Sequence, residues 1–371
     1  MDRRTFLSGI ACGGALGGYV LTRDEREESG DPQGSGEPRD RRDERTDDPN
    51  GRDDASAGDS DDPSDEDSVG DEDAESVVDR VADAEGIVVF TYDDSPLEDY
   101  TLTYEVHREY GVPGCTAACP GYMEERDTSL DPGQLREMQD DGWGVLSHTY
   151  RHRALGHIEL TEPAREGDDR LYVQANRHGA IADDPLVVFD EGTETTATVA
   201  GRGSDSVGQY VELAEPIAET VGQSGYVRYP GSFMREILEK TDARLESWGL
   251  EVTGFVYPYG RYDGLAEEIV RDHYDAVANH RYGGGHNDLE GLDPTAMRRM
   301  YVETDKATED DVDAFMRTAA DEEVLAIVGG HSQYDTLTED RIRYTIEAAL
   351  ERDLAIVTMG EALTVLEHLD G

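Results

Sequence analysis

The chain has 371 residues, enough for one large domain or two ordinary ones around a buried core. Its 85 acidic residues against 33 basic ones give a formal net charge of -52, and the only lysines are Lys240 and Lys306. This balance argues against nucleic acid or an anionic membrane surface as partner, since both require basic patches. It fits a halophilic composition, hydrated in concentrated salt where self-repulsion is screened within a few ångströms.

Residues 1–23 begin Met1-Asp2-Arg3-Arg4-Thr5-Phe6-Leu7 and continue as a weakly apolar, glycine-rich segment. Paired arginines before such a stretch read as a twin-arginine export signal, or as a retained anchor, although the segment is short for a spanning helix. Either reading places the protein outside the cell or at its surface. Cys12 is a poor lipid-attachment site, because Gly9 stands where a leucine-like residue is expected. Residues 24–80 form an acidic linker of Asp, Glu, Arg, Gly, Ser and Pro that has too little apolar surface to offset ordering entropy. Its like charges keep it extended, as suits a tether to a membrane or cell wall.

Beyond the linker, apolar runs alternate with helical patterns, which predicts an α/β fold with parallel strands. The strand Ile87 to Tyr92 runs into Asp93-Asp94-Ser95-Pro96, so that one carboxylate can hold a cation while its neighbour faces whatever the cation binds. Asp131 and Pro132 read as N-cap and first residue of a helix that buries Leu135 and Met138. The strand Trp143 to Leu146 leads to His148 and His152, four apart on what can be a single helical turn. Two neutral imidazoles and one carboxylate are the ligand set of a catalytic zinc-type site with an open position. Cys115 and Cys119, if extended, lie about 13 Å apart, too far for a disulfide, and read as buried apolar residues.

Residues 162–225 change pattern to short β-branched and aromatic runs separated by Gly and Asp turns, which predicts a small inserted all-β domain. It serves either to bind substrate or wall, or to stabilise and space the fold. Further on, Val252 to Tyr257 ends at Pro258, and Val324 to Val328 is followed closely by His331. Thr336 and Glu339 fit a capping box ahead of an apolar face at Ile342, Ile346, Ala349 and Leu350. Every candidate motif follows the C-terminal end of a strand, where a β/α barrel gathers its site.

Thr91 to Ser95 and His148 to His152, in this order and at this separation, resemble the first two motifs of the polysaccharide deacetylases of carbohydrate esterase family four, the NodB-homology proteins. The resemblance runs from about Gly86 to the C-terminus, interrupted by the insert. It implies a distorted, incomplete (β/α) barrel built from residues 81–161 and 226–371. The third motif appears as Val256-Tyr257-Pro258-Tyr259-Gly260, with Val256 where the family has an arginine, as in a branch resembling the poly-β-1,6-N-acetylglucosamine deacetylases. Arg298 or Arg299 could make up for that arginine. Ser95 for glycine and Gly144 for a common glutamate are further departures. Leu325 to His331 supplies the fifth motif.

By this resemblance Asp94, His148 and His152 hold one divalent metal ion, Asp93 is the general base, the Tyr259 backbone N–H stabilises the oxyanion and His331 is the general acid. Zinc is the default from ligand type, and cobalt or nickel suit the same donors. The implied activity is metal-dependent hydrolysis of N-acetyl groups on an extracellular amino-sugar polysaccharide. Two other readings stay open: a non-catalytic carbohydrate-binding envelope protein, and an amidohydrolase acting on small cyclic amides. His157, His178, His280 and His286 lack comparable context and read as structural or solvated.

Overall fold

The parallel sheet is built around β1 (Ile87–Asp93), buried at every position. It is flanked on one side by β13 (Leu325–Gly330), and on the other by β14 (Ala355–Val357) at its start and β2 (Cys115–Ala118) at its end. Outward from β2 come β3 (Gly144–Ser147), β10 (Phe255–Val256) and β11 (Val277–Ala278), while β12 (Met300–Tyr301) pairs with β13, all in parallel. In this computed structural model residues 77–279 and 285–370 are described. The expected export signal, Cys12, the linker up to residue 76 and His280 lie outside them. Among the described residues no helix is long and apolar enough to cross a membrane.

Alternation along β1 explains why its sequence is almost continuously apolar. Ile87 and Val89 point into one cluster with Ala117, Leu146, Val256 and Ile327, whereas Val88, Phe90 and Tyr92 pack with Leu135, Met138, Met316 and Ile346 from the surrounding helices. Both faces are therefore covered. The sheet curls until its outer strands nearly meet, with Met297 N–H donating to Val277 O at 3.1 Å and Asn279 Nδ2 3.5 Å from Tyr301 Oη. The result is the distorted, incomplete barrel expected from the sequence.

The helix Pro132–Asp140 is capped by Asp131, whose carboxylate accepts from Gly133 N while Gln134 closes a capping box. The cap ahead of Glu339–Leu350 is Thr338, not Thr336 as expected. Thr336 is held outside the helix because its carbonyl accepts from Thr304 N–H at 2.9 Å. Cys115 and Cys119 are buried free thiols.

The second sheet is antiparallel and contains β4 (Ile158–Glu159), β5 (Arg170–Tyr172), β6 (Pro185–Phe189), β7 (Glu194–Ser204), β8 (Gln209–Leu213) and β9 (Tyr226–Arg228), in the order β4-β9-β6-β7-β8-β5. A bridge between Leu160 and Val173, with Thr161 N–H on Tyr172 O and Gln174 N–H on Glu159 O, joins β4 to β5 and closes the six strands into a small barrel. Closure removes the free edges. Leu171, Val173, Leu186, Val188, Val199, Val211 and Val227 fill its interior. Its strands start before residue 162 and end after 225, and its core continues through Tyr229 and Met234 to Phe255. Arg153 also clamps Asp184 of this barrel through two hydrogen bonds of 2.6 and 2.9 Å. The β-barrel is thus packed onto the parallel fold rather than hung from it.

Candidate active site

Both acids of the Asp-Asp pair sit where β1 leaves the barrel. Asp93 continues the inward alternation of Ile87, Val89 and Thr91, whereas Asp94 and Ser95 take left-handed backbone conformations with φ of 79° and 50°. Such conformations are costly for residues other than glycine and concentrate at functional sites. At Ser95 the strain is offset, because its buried hydroxyl accepts from Cys119 N–H at 3.1 Å. Gly144 leaves no room for a side chain, since a Cβ there would lie 2.7 Å from Cys115 Sγ.

Asp94, His148 and His152 converge, each offering one donor atom within 4.8 Å of the others. Asp94 Oδ1 lies 3.6 Å from His148 Nε2 and 3.3 Å from His152 Nε2. Donors about 2 Å from a tetrahedral ion stand about 3.3 Å apart, so the spacing fits. Asp94 Oδ1 and His148 Nε2 are buried without a hydrogen-bond partner, which a cation between them would satisfy. His148 Nδ1 lies 2.7 Å from Val256 O, which fixes Nε2 as the ligating nitrogen. The two histidines do not share a helical turn: Thr149 and His152 have φ of 60° and 53°, in a turn held by Arg153 N–H donating to Thr149 Oγ1. The rings are nevertheless brought to 4.7 Å between centroids.

Of the two candidate arginines, Arg299 pairs with Asp93. Arg299, 1% exposed, grips both oxygens of Asp93 at 2.7 Å each and also donates to Thr91 Oγ1 and Tyr301 Oη. Burial alone would raise the Asp93 carboxyl, but the guanidinium charge and hydrogen bonds outweigh it and hold the group below the usual carboxylate range. Arg298 is turned elsewhere, its backbone bonded to Asn287.

His331 follows β13 and lies between the rings of Tyr301 and Tyr334, at 5.6 and 5.0 Å. Its Nδ1 is 2.7 Å from Glu303 Oε1, and its Nε2 is 3.8 Å from Asp93 Oδ2. Burial disfavours the imidazolium, but the Glu303 hydrogen bond and the charges of Asp93 and Asp94 push the pKa up to about 9. Tyr259 stands over His152 at 4.2 Å, in a left-handed conformation with φ of 58°.

Glu303 and Gln333 were not legible as site residues. Gln333 Nε2 donates to Asp94 Oδ2 at 3.0 Å, leaving Oδ1 for a cation. For Glu303 a signal existed: Arg299, Tyr301 and Glu303 are spaced by two, as side chains on one face of a strand are. Among the described residues, His157, His178 and His286 make structural contacts. His157 binds Asp263, His178 is 3.1 Å from Ala154 O and His286 is 2.8 Å from Phe315 O.

Residues 80–176 match the family model for polysaccharide deacetylase. No curated protein of known function matches the chain. Among solved structures, a family 4 carbohydrate esterase from Streptomyces lividans in complex with acetate is 12% identical, with 73% of this chain and 92% of that one covered at a TM-score of 0.40. A family 4 acetyl xylan esterase from Clostridium thermocellum, in complex with a cobalt ion, is 13% identical over 77% and 92% at a TM-score of 0.41. A family 4 pseudoenzyme from Bacillus anthracis is 10% identical over 75% and 65% at 0.40. At this degree of likeness the functional argument rests on the site's own geometry.

Proposed function

We propose that the protein is a metal-dependent deacetylase that hydrolyses N-acetyl groups on an amino-sugar polysaccharide outside the cell. The observation that carries this reading is the meeting of Asp93 and His331 Nε2, 3.8 Å apart, beside the Asp94, His148 and His152 donor set. Bound by those three residues, a divalent ion, zinc by default, would supply Lewis acidity toward the acetyl carbonyl and lower the pKa of the attacking water. Asp93, kept anionic by Arg299, accepts the proton of that water. The Tyr259 N–H donates to the carbonyl oxygen as it gains charge. His331, charged near neutral pH and oriented by Glu303, donates from Nε2 to the departing amine.

Against the non-catalytic reading, Arg299 pairs with the proposed base and holds it anionic. The paired arginines at the N-terminus support export by the twin-arginine route, and the acidic linker supports tethering at the cell surface. The test is acetate release in high salt from a panel of N- and O-acetylated glycans, with and without chelator. Acetate from N-acetylated polymers that stops on chelation and returns with zinc, cobalt or nickel is the expected result. Absence of release from every acetylated glycan would overturn the reading.

A further inference from the structure

The inserted β-barrel delivers guanidinium groups to the mouth of this site. Its 3-10 turn Arg177–Gly179 lies against β7, so closely that a Cβ at Gly179 would stand 2.7 Å from Gly201 O and 2.8 Å from Arg202 Cβ. Arg177 and Arg202 are therefore neighbours. The Arg177 guanidinium lies 4.3 Å from the centre of the Tyr259 ring, which itself lies tilted against His152 at 4.2 Å. On the other flank of His152, Arg126 covers the face of Tyr122 at 3.4 Å.

Among the described residues none of these three arginines has a carboxylate partner. Other guanidiniums near the site or on the same barrel are answered: Arg170 by Asp205, Arg151 by Glu125 and Arg244 by Glu124. At the mouth of the site, Arg177 and Arg126 hold their charge over aromatic faces without a carboxylate partner. A neutral glycan could use these donors but not their charge.

Building on the deacetylase reading, we propose that the substrate polymer is anionic, and that Arg177 and Arg202 bind a carboxylate or sulfate on a sugar neighbouring the acetylated one. In about 1 M salt the screening length is only about 3 Å, so steering at a distance is lost and recognition has to be by direct charge-assisted hydrogen bonds, which arginine makes with planar bidentate geometry. The closed barrel provides a rigid platform for such contacts.

The test measures binding, not turnover, by calorimetric titration of the full chain in high salt with three oligosaccharides of equal length and without acetyl groups: an oligouronate, a sulfated oligomer and a neutral one. The wild type should bind at least one acidic oligomer about tenfold or more tightly than the neutral one. Preference for uronate or for sulfate identifies the group. In an Arg177→Gln, Arg202→Gln protein the ratio of acidic to neutral affinity should fall toward one. If the double variant loses its fold by circular dichroism, Arg202→Gln alone serves, because that side chain is exposed. Equal affinities in the wild type, or an unchanged ratio in the variants, would overturn the proposal while leaving the deacetylase reading intact. Failure of acetate release would do the reverse.

Discussion

Arg299 and Asp93 form a buried, two-point ion pair across the barrel, with both contacts at 2.7 Å and both side chains all but inaccessible. The pair joins the end of β1 to the residue just before β12. The first prediction follows from it. In Arg299→Met, Asp93 loses its hydrogen-bonded cation and keeps only the more distant imidazole charges, so desolvation weighs more heavily and its pKa rises. In the wild type the depressed pKa contributes stability that is present above the ordinary carboxylate value and lost as pH falls through the folded value. The variant lacks that contribution and leaves a buried charge unpaired, at a cost of about 3–5 kcal/mol. Denaturant unfolding should register the loss, and the acid limb of kcat/KM should move upward. An unmoved acid limb would remove Arg299 from the tuning of the base.

The second prediction concerns the metal. One divalent ion should bind per chain, His148→Ala should lose it together with activity, and the loss should be visible by elemental analysis after dialysis. Full occupancy in a His148→Ala, His152→Ala protein would exclude the donor set.

A third prediction uses the Glu303–His331 contact. Because the His331 pKa is raised to about 9, the ion pair adds stability that is complete below the ordinary imidazole value near 6.5 and is lost as pH rises through about 9. The alkaline limb of kcat should sit at or below that value. Glu303→Gln keeps the shape but removes the charge, so this limb should shift toward neutrality, with metal content unchanged. A limb that stays in place would mean that Glu303 does not sustain the imidazolium.

Residues close in sequence were the legible part of this site. Asp93 with Asp94, and His148 with His152, each leave a single strand end, so local spacing was enough to bring them forward. The helical turn expected for the histidines was a wrong intermediate, because spacing of four is also compatible with a turn containing two left-handed residues. What could not be read was pairing across the barrel. Arg299 lies 206 residues from Asp93, and nothing local distinguishes it from Arg298. Only the strand's alternation, which turns Arg299, Tyr301 and Glu303 inward together, separates them. The closed six-strand barrel was legible as β-rich, but its closure depends on the Leu160–Val173 bridge and carries no sequence signature.

The last prediction separates the two proton carriers. Asp93, anionic at neutral pH, would serve the attack of water on any acetyl group, whereas His331 would serve the departure of a poor leaving group. Asp93→Asn removes the base with little change in volume, and Arg299 then faces an uncharged amide. His331→Ala leaves Asp93 and its Arg299 contacts in place. Both variants should lose amide hydrolysis by about 10²–10⁴-fold. On a nitrophenyl acetate, whose leaving group departs as an anion and needs no proton, His331→Ala should keep much of the wild-type rate and Asp93→Asn should not. Metal analysis and circular dichroism of each variant separate this outcome from loss of ion or fold. If the two variants lose the ester equally while keeping both, His331 does not act as a general acid, and its 3.8 Å approach to Asp93 has another purpose.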